Sequence, residues 1–293
     1  MEIRALRYFV TSVQEEGITA AADVLHVSQP TISRQIRELE EELGATLFSR
    51  GNRGHTLNLT REGRMLYRRA CEIIELADKA ESEITSRETI EGDLHIDAAQ
   101  TRSMNIVAKA LVQLHERHPG VRIHLQDAYS DDIIERLNNG LTDFGVLMQP
   151  LDMSRYDHFA LPDDDVMGLV VRADDPLATH ESVTAGDLTG IPLIMPRGAI
   201  SRNDAAAQVD SSASGYSQIV ATINLAHNGT YLVSQGLGSM LCLKSVVNVG
   251  DDSGLVFIPL SPRTPVRINI AWKKNQTLPR QAEVFLEILR TMI

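Results

Sequence analysis

Apolar residues recur at helical spacing from the start of the chain. Ile3, Leu6, Phe9, Val10 and Val13 stand three and four apart, and Gly17 ends the run, so a first helix is predicted there. A second helix is predicted from an N-cap at Thr19 through Ala20, Ala21, Ala22, Asp23 and Val24 to Leu25. The third begins at Ser28 as N-cap. Pro30 sits in its first turn, where the missing N–H costs nothing, and Gly44 closes it. Its apolar positions Ile32, Ile36, Leu39 and Leu43 are spaced 4, 3, 4. From Leu47 to Leu59 two apolar ends flank a Gly/Asn/Arg tip, which reads as a short β-hairpin. Thr60 then caps a long helix in which Leu66, Ala70, Ile73, Ala77, Ala80 and Ile84 form a heptad seam, a pattern that asks for a second helix.

From Gly92 the pattern changes to strand and helix in alternation. Strands are predicted at 93–98, 121–125, 142–148, 166–171, 193–195, 217–224, 239–243 and 266–272. Helices are predicted at 101–118, 131–139, 229–235 and 280–291. This is the order of a doubly wound α/β layer.

With 293 residues, two or three domains are expected, and 43% hydrophobic residues suffice for buried cores. No apolar stretch approaches a membrane span. The first twenty residues carry Glu2, Arg4, Arg7, Glu15 and Glu16, unlike a signal segment or anchor, so a cytoplasmic protein with no membrane partner is expected.

The formal net charge is −11, which at first argues against an anionic partner. Residues 1–69 carry 10 Lys+Arg against 9 Asp+Glu, however, and the remainder 18 against 30, so the acidity belongs to the later part. Local charge decides what a surface binds. On the third helix Pro30, Ser33, Arg34 and Arg37 fall opposite the apolar stripe, and Gln29 and Thr31 lie at the N-terminal end, where a recognition helix meets base edges. Arginine offers a planar fork that suits phosphate oxygens or guanine O6/N7. Arg50 and Arg53 on the hairpin, and Arg61 and Arg64 beside the Thr60 cap, surround the same surface. The acidic residues Glu38, Glu40, Glu41 and Glu42 occupy the later turns of that helix, where they could sit clear of phosphates.

The run Leu6…Phe9…Gly17…Thr19-Ala20-Ala21-Ala22…Leu25…Val27-Ser28-Gln29-Pro30-Thr31-Ile32-Ser33…Ile36…Leu39-Glu40…Leu43-Gly44…Leu47-Phe48…Arg50…Leu59-Thr60…Gly63 closely resembles the N-terminal signature of LysR-type transcriptional regulators. Gly92-Asp93-Leu94-His95-Ile96, His118-Pro119-Gly120-Val121, Asp143-Phe144-Gly145-Val146 and Gln235-Gly236-Leu237-Gly238 look like the family's more variable regulatory part. The resemblance implies a winged helix-turn-helix at 1–59, a linker and dimerisation helix at 60–89, and two doubly wound α/β subdomains resembling periplasmic binding proteins. By analogy these are 92–161 with 266–293, and 162–265, the crossovers near Leu161-Pro162 and Ser261-Pro262 forming the hinge. It further implies a homodimer or tetramer reading an interrupted palindrome in double-stranded promoter DNA, a small-molecule effector in the cleft, and RNA polymerase as a further candidate partner. Gln29, Pro30, Ser33, Arg34, Arg50 and Thr60 match family positions that contact DNA.

Ligands of open α/β sheets bind beyond the carboxyl ends of the strands. On that rule the effector candidates are Gln100, Thr101, Arg102 and Ser103, then Ser130, Met148 and Gln149, and from the second subdomain Pro196, Arg197, Ser201, Thr222, Asn224 and Asn228. Their hydroxyls, amides and helix N–H groups suit a small carboxylate or other anion. Thr101, Ser130 and Asn228 have the alternative role of capping helices. Where relatives often carry a small residue and Pro before the threonine, this chain has Ala99-Gln100-Thr101.

No cofactor or metal is expected. His115 and His118 stand three apart, but no carboxylate or cysteine cluster joins them. Cys71 and Cys242 are in no metal-ligand spacing and read as packing residues, with a redox switch as the alternative. No nucleophile elbow, phosphate loop, zinc-protease motif or dinucleotide fingerprint appears, so an enzyme is not expected. A redox- or partner-responsive regulator and an exported solute-binding protein are the competing readings.

Overall fold

The computed structural model describes residues 1–50, 57–85, 90–162, 164–197, 219–263 and 265–293. The chain divides into two compact units, Met1–Arg87 and Glu88–Ile293.

The first unit contains α1 (Ile3–Gln14), α2 (Ile18–Val24), α3 (Gln29–Leu43), β1 (Phe48–Arg50), β2 (Leu57–Leu59) and α4 (Arg61–Thr85). α2 begins one residue before the expected cap at Thr19, because Gly17 is already extended and takes the N-cap position. α3 starts after Ser28 and stops at Gly44, whose left-handed backbone (φ 63°) satisfies the last carbonyls without a Cβ clash. Leu6, Phe9 and Val10 of α1 bury against Leu39 of α3, Leu47 and Ala70 of α4. Ala21 and Ala22 bury against Ile32 and Ile36. Fully burying side chains of the Leu, Ile and Phe kind contributes about 1.5–3 kcal/mol each, so this apolar pattern and not helix propensity fixes the bundle. β1 and β2 pair antiparallel with Phe48 opposite Leu59, and Phe48 sets its ring 5.3 Å from that of Phe9.

The expected seam on α4 is divided. Leu66 and Ala70, with Tyr67, Cys71 and Ile74, pack into the unit's own core against α1, and an Arg7–Asp78 ion pair continues that contact. Met65, Ile73 and Leu76 remain exposed at 61%, 37% and 44%. The apolar positions of this helix span too wide an arc for one neighbour, and α1 takes one side of it. The side chain of Ile84 lies outside the described residues.

The second unit holds two mixed sheets. The first contains β3 (Gly92–Ala98), β4 (Val121–Asp127), β5 (Phe144–Met148), β6 (Tyr156–Ala160) and β13 (Ile268–Lys273), in the order β4-β3-β5-β13-β6. β3 runs parallel to β4 and β5, whereas β13 is antiparallel to both β5 and β6. Helices α5 (Met104–Arg117) and α8 (Arg280–Arg290) cover one face through Val107, Leu114, Phe285 and Leu289, against Leu94, Ile96, Phe144 and Ile270. Helix α6 (Ser130–Asn139) covers the other with Ile133 and Leu137 on Leu147 and Ala271.

The second sheet contains β7 (Asp165–Arg172), β8 (Leu193–Pro196), β9 (Ile219–Ile223), β10 (Ser239–Leu243), β11 (Leu255–Pro259) and β12 (Pro265–Val266). Its order is β11-β7-β10-β8-β9, with β12 also on β7. β8, β9 and β10 are parallel; β7 is antiparallel to β10, β11 and β12. Helix α7 (Ala226–Ser234) packs Ala226 and Val233 on Val170, Ile194 and Met240.

Two expectations change here. The helix predicted from Thr101 begins at Met104, because residues 101–103 form a turn with partners of its own. The single strand predicted at 266–272 is two. Val266 pairs with Asp165 in the second sheet and Ile268 with Met148 in the first, so the chain changes sheets at Arg267.

Candidate functional site

In the first unit the described face is built on α3. Gln29, Pro30, Arg34 and Arg37 are exposed, Thr31 and Ser33 half-buried, and Ile32, Ile36 and Leu39 on the opposite side are at most 4% exposed. Ser28 and Thr31 share a hydroxyl hydrogen bond of 2.7 Å, and the Gln29 amide donates to Ser33 Oγ at 2.8 Å, which pre-orders the helix start. Arg34 Nε lies 3.7 Å from Glu38, an exposed pair of little energetic weight, so the guanidinium remains available.

Glu40 does not merely sit clear. Its carboxylate accepts from the N–H groups of Leu47 (2.6 Å) and Phe48 (3.3 Å) and so holds the start of β1 beneath α3. Thr60 joins β2 to α4: its hydroxyl donates to the Thr46 carbonyl at 2.7 Å and accepts from Gly63 N–H at 2.9 Å. Arg64 donates to the Leu59 carbonyl at 2.7 Å, and Arg61 is exposed on the first turn. Arg53 and the side chain of Arg50 lie outside the described residues.

In the second unit a cavity of about 540 Å³ opens between the two sheets. Of the expected residues it brings together Gln100, Met148 and Gln149 with Pro196, Arg197 and Asn224, all at or beyond carboxyl ends of strands. Thr101, Arg102, Ser103, Ser130, Thr222 and Asn228 do not line it. Ser201 lies outside the described residues.

The turn at 101–103 is occupied by the protein itself. Asp165, 3% exposed, accepts from Arg102 N–H at 3.2 Å and from Val166 N–H at 2.8 Å, and also holds the hydroxyl and N–H of Ser245. Ser103 donates to the Pro162 carbonyl at 3.0 Å. The hydroxyls of Thr101 and Ser130 are buried with no partner among the described residues, as is the Gln149 amide nitrogen. On the cavity wall Tyr129 donates its hydroxyl to the Ile223 carbonyl, tying the end of β4 to the end of β9.

Comparison with known proteins matches both units. Residues 3–64 match the family described as "Bacterial regulatory helix-turn-helix protein, lysR family", and residues 87–293 match the LysR substrate binding domain. The chain belongs to the LysR family of transcriptional regulators. It is 30% identical over 288 residues to the Hca operon transcriptional activator HcaR of Escherichia coli K12, covering 95% of this chain and 94% of that protein. With the HTH-type transcriptional regulator BsdA of Bacillus subtilis 168 it shares 29% identity over 98% and 100% of the two chains. Among solved structures it is similar to CbnR, a LysR family transcriptional regulator, with a TM-score of 0.71, 23% identity and 99% coverage of both chains.

The regulator is therefore a DNA-binding protein with an effector-binding domain, not an enzyme. Among its described residues no helix is long and apolar enough to cross a membrane. No group of three or more His, Cys, Asp or Glu among them could hold a metal ion.

Sequence reasoning missed two residues of the cavity wall, Tyr129 and Arg267, and the buried Asp165 that occupies the turn at 101–103. Asp165 had a signal, an acid opening an otherwise apolar strand. Tyr129 had none beyond its place before a helix. Arg267 was hidden by a run of strand-like residues that crosses between sheets.

Cys242 also lines the cavity, 3% exposed. Burial, and secondarily the negative charge of Asp165, push its thiol up to about 12. The native regulator at pH 8 is thus expected to leave Cys242 unmodified by a water-soluble disulfide reagent and to release it only on unfolding, as mass spectrometry of the labelled protein checks. Below about pH 9 the thiol is protonated in both states; above it only the unfolded chain ionises, so stability falls from there toward pH 12.

Proposed function

We propose that the regulator acts as a homodimer or a dimer of dimers, reads an interrupted palindrome in promoter DNA through α3, and responds to a small anionic effector in the cavity of its second unit. In this reading residues 1–59 bind DNA and 60–89 link and dimerise. Residues 92–161 with 266–293, and 162–265, are the two effector-binding subdomains of a cytoplasmic protein. One observation carries the DNA side: Gln29, Pro30, Arg34 and Arg37 are exposed on a helix whose opposite face buries Ile32, Ile36 and Leu39. Such a helix projects its polar face at a groove without unpacking. Thr31, Ser33, Arg50, Arg53, Thr60, Arg61 and Arg64 support it as flanking contacts, Thr60 acting chiefly through its cap. The similar protein CbnR is described, full-length, in complex with its target DNA. The exposed Met65, Ile73 and Leu76 of α4 support pairing with a second copy.

The buried, poorly acidic Cys242 weighs against the redox-responsive alternative, because the thiolate is the reactive form. The test is binding to the DNA upstream of the regulator's own gene. Affinity is expected to fall linearly with salt on logarithmic axes, and Arg34→Ala to weaken it about 5- to 150-fold, the equivalent of ~1–3 kcal/mol, with an unchanged circular dichroism spectrum. Wild-type protein with no salt-sensitive preference for that DNA refutes the reading.

A further inference from the structure

Resting on the effector-site reading above, we infer that the cavity of the second unit takes a monocarboxylate with an apolar body, and that Arg267 at the sheet crossover, with Arg197, receives its charge. The start of α5, where an anion was expected, already has a carboxylate. Asp165 accepts from Arg102 N–H, Ser103 is committed to Pro162, and residues 101–103 do not reach the cavity wall. A ligand anion must meet its donors elsewhere.

Arg197 and Arg267 both line the cavity, both are exposed, and neither has an ion-pair partner among the described residues. Elsewhere in this unit Arg122 and Arg136 sit within 2.9 Å of Asp93 and Asp97. Against the two cavity arginines stand Asp127, at the end of β4, and Asp132, in the first turn of α6. A single negative charge can be met by a guanidinium fork, whereas a second charge on the same small molecule meets carboxylates.

The cavity wall selects the body of the ligand. Met148, Met167, Ile223, Leu243, Val246 and Val266 make most of it apolar, and the cavity's size is ordinary for a small-molecule site. The methionines can adapt to the shape of an apolar body. Arg267 stands between β12 and β13, and its carbonyl accepts from Gln149 N–H at 2.9 Å, so an anion held there bears directly on the joint between the sheets.

The experiment uses the full-length protein, read by thermal unfolding and isothermal calorimetry. The probes are benzoate, 2-naphthoate and octanoate, each beside its neutral amide, with acetate and succinate as small and doubly charged controls. At least one apolar acid is expected to bind about 10- to 100-fold tighter than its amide and than either control. Arg267→Gln is expected to erase the acid-over-amide preference, weakening acid binding far more than amide binding, with the unliganded melting temperature unchanged, and Arg197→Gln to reduce it. Acids and amides binding alike, succinate or acetate binding best, no apolar acid binding at millimolar concentration, or a preference that survives in Arg267→Gln overturns the inference. Failure of the underlying reading looks different: an acid binds as expected, yet the footprint on promoter DNA is the same with and without it.

Discussion

Replacing Gly63 by alanine is expected to abolish promoter binding while leaving the second unit folded and able to bind its ligand. Gly63 lies in the first turn of α4, and a Cβ built on it falls 2.2 Å from the Leu47 carbonyl oxygen and 2.9 Å from Leu59 Cδ2. That carbonyl cannot step aside, since it accepts from Thr60 N–H at 3.0 Å and the adjoining Leu47 N–H is held by Glu40. The helix must instead retreat from the hairpin, breaking the Thr60 cap on Gly63 N–H and unseating Leu66 and Ala70 from the core. Overpacking of this kind costs about 3 kcal/mol or more where backbone is the obstacle. For a unit of this size that lowers its melting temperature by about 10–20 °C. Differential scanning calorimetry of the full chain checks it, because the transition of the first unit should move and that of the second should not. A variant with wild-type melting and wild-type affinity for promoter DNA would show that Leu47 and Gly63 are not in contact.

Asp165→Ala is expected to act on the other unit. The carboxylate is a common acceptor for Arg102 N–H from the β3–α5 turn, for Val166 N–H, and for the N–H and hydroxyl of Ser245 after β10. Alanine leaves these part-buried donors without their common acceptor; water can reach some of them, so the loss lies well below the sum of about 1–3 kcal/mol for each fully buried donor. A total loss of about 3 kcal/mol, seen as a fall of about 10 °C in the second transition, is the expected result. Asp165→Asn keeps the volume and one acceptor, so it should recover part of the loss. Equal melting of wild type and Asp165→Ala would remove the carboxylate from its place as a joint between the sheets.

The two units differ in how far they could be read from residue order. α3 was legible because its 4-3-4 apolar spacing, Ser28, Pro30 and Gly44 all report on one local helix, and local rules suffice for it. The long helix was legible as a helix but not in its partners. The positions 66, 70 and 73 look equivalent in a heptad, and only packing separates Leu66 and Ala70, buried on α1, from Ile73, left exposed. β6 and β11 went unread because their neighbours in the sheets are remote: β6 pairs with β13, more than a hundred residues later. The cavity was half legible for the same reason. Residues just after strands could be named from a rule of topology, which brought in Gln149 and Arg197. That rule is silent on what the opposite subdomain inserts, and so the claim of Asp165 on Arg102 N–H, and the place of Arg267, required the fold.

The hydroxyl of Tyr129 on the Ile223 carbonyl has a quantitative consequence. A net contribution of about 1 kcal/mol from one such bond corresponds to roughly a fivefold bias between joined and parted walls. That bias adds to the contacts of Asp165 and Ser103, so Tyr129→Phe is expected to shift the balance between the walls without parting them. In the proposed effector response the phenol is therefore one trim among several cross-sheet contacts, adjustable without touching either the ligand's charge or the DNA-reading face.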